Sequence, residues 1–207
     1  MARPEPTTLL LVRHGETEDN VAGRLSGWRD VPLTATGRRQ ARRLAAHLAA
    51  EFSIDAVYTS PLSRAMATAR HIGREVGLDP IPLDDLREFA TTVRRAGGET
   101  RTAFRARVLR AMGRIVGSHP GKTVAVVTHG GPLAVYLAKT LRGTAARWAE
   151  FKMDNAAMTV LTIDEKGATL HQFNNCAPVQ PANRVRTITQ TCGGPRWPRD
   201  RARIREE

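Results

Sequence analysis

Cysteine is nearly absent from this chain, occurring only as Cys176 and Cys192, with no CxxC pair and no Cys/His ligand spacing. Neither a disulfide framework nor a zinc site is indicated, and a reducing compartment is the default expectation. Long apolar runs are missing too. The opening MARPEPTTLLLV is too short for a signal-peptide core and no window approaches the length of a membrane span, so a soluble, cytoplasmic protein without a membrane partner is expected. Lysine is scarce: the 32 basic residues are 28 Arg and four Lys. A net charge of +12 would ordinarily point to nucleic acid or another polyanion. Here Arg alternates with Ala along QARRLAAHL and RARVLRAMGR, which reads as solvated helix faces, so nucleic acid is not the expected partner.

What is present suffices for one α/β domain, 207 residues with 41% apolar content and no internal repeat. The stretch TLLLVRHGETEDN at 8–20 sets an apolar strand directly before Arg13, His14 and Gly15. A polar, glycine-containing loop follows. Thr34 then reads as the N-cap of an amphipathic helix over 35–50 that buries Ala41, Leu44, Ala45 and Leu48. IDAVYTS reads as a second strand, with Ser60-Pro61 placing proline in the first turn of a helix that buries Leu62, Ala65, Met66, Ala69 and Ile72. Arg64 falls in that first turn, able to point back toward His14. A short apolar piece at 81–83 precedes Asp84, Asp85 and Glu88. A third helix spans 100–116 with Phe104, Val108, Met112 and Ile115 on one side.

TVAVVTHGG is the second strong strand ending in a histidine, and Pro132 suits the first turn of a helix through Leu141. His129 and the amides of Gly130 and Gly131 would then stand at a helix N-terminus, a setting that favours an anion. MTVLTIDEKGATLHQFNN reads as a hairpin at a sheet edge. The domain is expected over 1–181. Residues 182–207, with seven Arg, three acids and two Pro, read as a flexible basic tail, mainly solubilising, with polyanion binding the sharper alternative.

Strand–helix alternation brings such strand ends to one edge of a parallel sheet. An imidazole beside a guanidinium there suits phosphoryl transfer, since neutral His can attack phosphorus while the Arg fork neutralises phosphate oxygens. The remaining histidines, His47, His71, His119 and His171, read as structural or merely exposed, and Trp28 as loop packing.

The motifs LVRHGETEDN, the GW.D.PLT..G..QA pattern from Gly27 to Ala41, YTSPLSRAMATA, LRE at 86–88, GGET and VVTHGGPL occur in one order over about 130 residues. In this the chain resembles the histidine phosphatase superfamily, the clan of cofactor-dependent phosphoglycerate mutases and broad phosphatases. The resemblance implies an α/β three-layer sandwich, a mostly parallel central sheet flanked by helices. It makes His14 the nucleophile that carries a phosphohistidine, with Arg13, Arg64 and His129 around the phosphate and Glu88 the proton donor. Asn20, Ser26, Gly27 and the N–H of Gly130 are implied phosphate or substrate contacts. No metal and no cofactor is called for. The implied enzyme is a phosphomonoester hydrolase of the histidine acid phosphatase type acting on a small phosphorylated metabolite. The alternatives are a phosphoglycerate mutase-type phosphomutase and a non-catalytic binding protein; a homodimer is a candidate assembly.

The chain departs from the family pattern after Glu88, where Phe89-Ala90-Thr91 replaces a glycine and aromatic-Glu-Gly signature and only eight residues precede Gly97. A more open pocket is implied, and Glu99 is the fallback donor. Ser26 stands where Gln is common and Asp19 where an aromatic is common.

Overall fold

The computed structural model describes residues 5–90 and 98–179 of the chain. Strand β1 (Thr7–Arg13) holds the apolar run read from the sequence, and Leu9, Leu10, Leu11 and Val12 are all fully buried. A strand without a polar alternate needs cover on both faces. Side chains of a strand point alternately to its two sides, and the core divides accordingly. Leu9 and Leu11 join one apolar cluster, Leu10 and Val12 another.

Around β1 lie β2 (Ala56–Thr59), β3 (Ile81–Pro82), β4 (Thr123–Thr128), β5 (Met158–Asp164) and β6 (Gly167–Asn175). One sheet results, in the order β3-β2-β4-β1-β5-β6. The β3–β2, β2–β4 and β4–β1 pairs are parallel, whereas β5 pairs antiparallel with both β1 and β6. The expected hairpin is therefore present, with β6 at the edge and β5 one place inside. Helices α2 (Ala35–Glu51) and α3 (Ser63–Val76) cover one face, and α4 (Arg101–Gly117) and α5 (Gly130–Arg142) the other. This is the expected three-layer sandwich. One four-residue helix was not expected from the sequence, α1 (Glu18–Val21), which Thr17 and Asn20 close with a capping box.

Helix bounds follow local chemistry. The Thr34 side chain accepts from the N–H of Gly37 and that of Thr100 from Ala103, fixing the starts of α2 and α4. The start of α3 differs from expectation. Pro61 stays outside the helix because the Ser60 N–H is tied to Val127 O and the Ser60 hydroxyl accepts from the Leu62 N–H, which keeps Leu62 extended as the cap. On α3, Met66 is only half-buried, while Arg64, Thr68 and Gly73 join the buried side.

Two glycines allow the loop after β1 to press on the first turn of α2. A Cβ at Gly37 would lie 2.1 Å from Glu16 O, and one at Gly15 2.6 Å from Gly37 O. Gly97 and the expected basic tail at 182–207 lie outside the described residues.

Candidate active site

The chain leaves β1 toward α2 on one face of the sheet and leaves β4 toward α5 on the other. Such a divergence between adjacent parallel strands opens a crevice beyond their carboxyl ends. Arg13 of β1 pairs in register with Thr128 of β4, so the residues that follow, His14 and His129, become neighbours. The His14 N–H donates to Thr128 O at 3.0 Å, and the two imidazoles meet edge-on with centroids 5.1 Å apart.

His14 Nδ1 lies 2.7 Å from Gly15 O. A carbonyl only accepts, so Nδ1 carries the ring proton and Nε2 keeps its lone pair. Burial, reinforced by the positive charges of Arg13 and Arg64, pushes the His14 pKa well below 6.5. The imidazole is neutral. Its loop is pinned on both sides: the Gly15 N–H donates to Thr68 Oγ1 at 3.1 Å, and the Ala156 N–H and Asn155 Nδ2 donate to His14 O at 3.0 and 3.2 Å.

His129 is fully buried, and its Nε2 lies 2.8 Å from Ser60 Oγ. That oxygen also accepts from the Leu62 N–H. Nδ1 has no partner among the described residues. Burial, with His14, Arg64 and Arg13 nearby, also pushes this pKa well below 6.5.

Two guanidinium groups bring positive charge to the same place. Arg64 is 1% exposed, its Nη1 and Nη2 donating to Arg29 O and Gly27 O at 2.9 and 2.8 Å. Arg13 donates from Nη1 to Met153 O at 2.5 Å, while its buried Nε has no partner among the described residues. Burial lowers the pKa of each guanidinium from its ordinary value, and Glu88 acts in the opposite direction on each. The Glu88 carboxylate accepts from the N–H of Phe89 at 2.8 Å and of Gly131 at 3.2 Å, at the first turn of α5. A Cβ at Gly131 would fall 2.1 Å from Glu88 Oε1.

These groups share a cavity of about 490 Å³. Arg13, His14, Arg64, Glu88 and Gly130 line its inner end together, as the sequence suggested, with Asn20, Ser26 and Gly27 beside them. Leu25, Phe89, Ala134, Trp148, Phe151 and Met153 make much of the remaining wall apolar, with Arg24, Lys152 and Asp154 also on it. His129 touches His14 instead of lining the cavity. Asn20 Oδ1 accepts from the Thr17 N–H and from Asn155 Nδ2, and the Ser26 hydroxyl donates to Asp19.

Four residues differ from the sequence reading. Glu99 is absent from the cavity wall and is paired with Arg107, Nε to Oε1 at 2.5 Å. Arg107 itself is buried rather than on a solvated helix face. The signal was available, because position 107 sits between Phe104 and Val108 on the stripe that continues through Ala111, Met112 and Ile115. Asp19 is also buried, holding Arg24, Arg29 and Ser26, and these contacts lower its pKa to about 2. Trp28, expected to pack in its loop, is 41% exposed and instead donates from Nε1 to Glu88 O at 2.6 Å, with the Arg87 guanidinium over its ring.

The sequence profile of the histidine phosphatase superfamily (branch 1) matches residues 9–93 and 90–176. The chain belongs to the histidine phosphatase superfamily. Among curated members, an adenosylcobalamin/alpha-ribazole phosphatase of Salmonella typhimurium is 32% identical over 200 residues, covering 84% of this chain and 98% of that one. A bifunctional protein of Mycobacterium tuberculosis is 32% identical over 194 residues, 81% of this chain and 53% of its own, so this chain spans about half its length. A solved structure of a putative alpha-ribazole-5'-P phosphatase from Escherichia coli superposes with a TM-score of 0.73 at 30% identity, covering 83% and 97% of the two chains. Among the described residues, no helix is long and apolar enough to cross a membrane.

Proposed function

We propose that this member of the histidine phosphatase superfamily is a phosphomonoester hydrolase of the histidine acid phosphatase type, acting on a small phosphorylated metabolite through a phosphohistidine at His14. One observation carries the reading: a neutral imidazole whose Nδ1–H is committed to Gly15 O presents Nε2 to a cavity that also holds the buried Arg64 and half-buried Arg13 guanidinium groups and a carboxylate.

In the first step Nε2 of His14 attacks phosphorus and the bond from phosphorus to the ester oxygen breaks. Glu88, in its acid form, gives its proton to the leaving alkoxide. Arg13 and Arg64 neutralise the phosphoryl oxygens, with the Arg13 Nε–H, which has no partner among the described residues, as a further donor, and His129 packs against the His14 ring. In the second step Glu88 takes a proton from water, the water oxygen bonds to phosphorus, and the N–P electron pair returns to Nε2. Inorganic phosphate leaves and the site is restored.

Phosphate release from a panel of sugar phosphates, phosphoglycerates and nucleotides tests this. One preferred substrate, lost in His14→Ala, is the expected result. No release from any compound, with turnover in a bisphosphate-primed mutase assay, would favour the phosphomutase. Salt-sensitive polyanion binding without turnover would favour a binding protein.

A further inference from the structure

Arg107 has no place in the two steps above, although it is 8% exposed and its five N–H bonds all find acceptors. Nη1 donates to Asp85 O at 2.8 Å and to Arg87 O at 2.7 Å, and Nη2 to Glu88 O at 2.9 Å. Nε and Nη2 grip the Glu99 carboxylate at 2.5 and 2.8 Å. The guanidinium stacks on Phe104, its Cζ 5.0 Å from the ring centroid, with the Trp28 ring at 6.0 Å. Trp28 adds its own Nε1–H to Glu88 O. Three of the four main-chain carbonyls from Asp85 to Glu88 thus hang on one side chain, and the fourth, Leu86 O, accepts from Thr128 Oγ1.

The purpose of such a buried fork is not charge on the substrate, since Arg107 does not line the cavity and its charge is answered by Glu99. Its effect falls on the main chain that carries Glu88. Among the described residues, the carboxylate of Glu88 is otherwise held by the two amides at Phe89 and Gly131. A carboxylic acid must sit within hydrogen-bond reach of the ester oxygen to protonate it.

We propose that Arg107, with Glu99 as its counter-ion and Trp28 as a second donor, is the positioning residue that fixes the proton donor Glu88. The inference rests on the phosphatase reading and on the donor role of Glu88 within it. Trp28 also connects the donor to the phosphate end, because its neighbours Gly27 and Arg29 supply the carbonyls that hold Arg64. Lysine cannot replace the fork: it has three donors on a single nitrogen, too few and too close together for five separated acceptor contacts.

The test compares kcat/KM for an alkyl phosphate, whose leaving group needs a proton, with p-nitrophenyl phosphate, whose leaving group does not. This ratio reports the steps through transfer to His14 and excludes the common hydrolysis of the phosphohistidine. In Arg107→Lys we expect a loss of about tenfold to a hundredfold on the alkyl ester, about threefold or less on the aryl ester, and an unchanged inhibition constant for inorganic phosphate. Trp28→Phe, which keeps the ring and loses only the N–H, should show the same selectivity at a few-fold scale. It decides the matter if Arg107→Lys fails to fold. Equal losses on both esters, or none, in the folded variants would overturn the positioning role. A wild-type protein inactive on both esters would instead overturn the phosphatase reading on which it rests.

Discussion

The inner end of the cavity is built from strand ends and the helix turns beside them, and its outer end from loops and a short 3-10 helix. At the inner end, His14 is 4% and Arg64 1% exposed, each held by main-chain carbonyls whose positions the sheet and its first loops dictate. At the outer end, Leu25 is 79% exposed, and Trp148 belongs to the 3-10 helix Ala145–Glu150, which has no fully buried residue. The contrast separates two jobs. In the proposed reaction, the groups that meet phosphorus stand on rigid elements, while the part of the wall that would meet the rest of a substrate stands where change is tolerated.

Substitutions can break or sharpen that contrast. Arg64→Lys keeps the charge and loses the fork that spans Gly27 O and Arg29 O, so kcat should fall about a hundredfold or more on every ester tested. An effect confined to one ester would show that the inner end also reads substrate identity. Gly131→Ala is a finer probe, because the new Cβ would lie 2.1 Å from Glu88 Oε1 and displace the carboxylate. Its kcat/KM should fall about tenfold to a hundredfold on alkyl phosphates and much less on p-nitrophenyl phosphate, the profile also expected of Glu88→Gln.

The outer end should respond differently. Leu25→Ala is expected to lower kcat/KM a few-fold on bulky esters and leave the smallest ones unchanged, with unfolding free energy within about 0.5 kcal/mol of wild type. The smallest effect concerns pH. His14 and His129 have pKa values pushed well below 6.5, so below that pH the unfolded chain binds more protons than the folded one. Stability therefore falls on acidification through and below 6.5, and Tm should drop by about 2–4 °C for each kcal/mol lost. His14→Asn should flatten that dependence in thermal melts recorded over the same range.

Much of this was legible in the sequence because strands and helices write regular patterns. Leu9 to Val12 announced a strand covered on both faces, Thr34 and Thr100 announced helix starts, and the histidines that end two such strands pointed to one sheet edge. The inner end of the site followed from topology. What escaped was set by side-chain pairing, which residue identity alone does not announce. Arg107 carries the same letter as its solvated neighbours, and only its place on the buried stripe separates it from them. Asp19 is buried because Arg24, Arg29 and Ser26 fold back onto it. The outer wall from Trp148 to Met153 has no periodicity to read, since its residues enter the cavity from a short 3-10 helix and the segment leading to β5.

The central claim is a covalent intermediate on His14, and rapid quenching during turnover of a phosphate-labelled ester tests it most directly. The account predicts acid-labile, base-stable label in the peptide containing His14, formed at the rate of alcohol release and absent from His14→Asn. Full turnover without such label, or label on another residue, would contradict it.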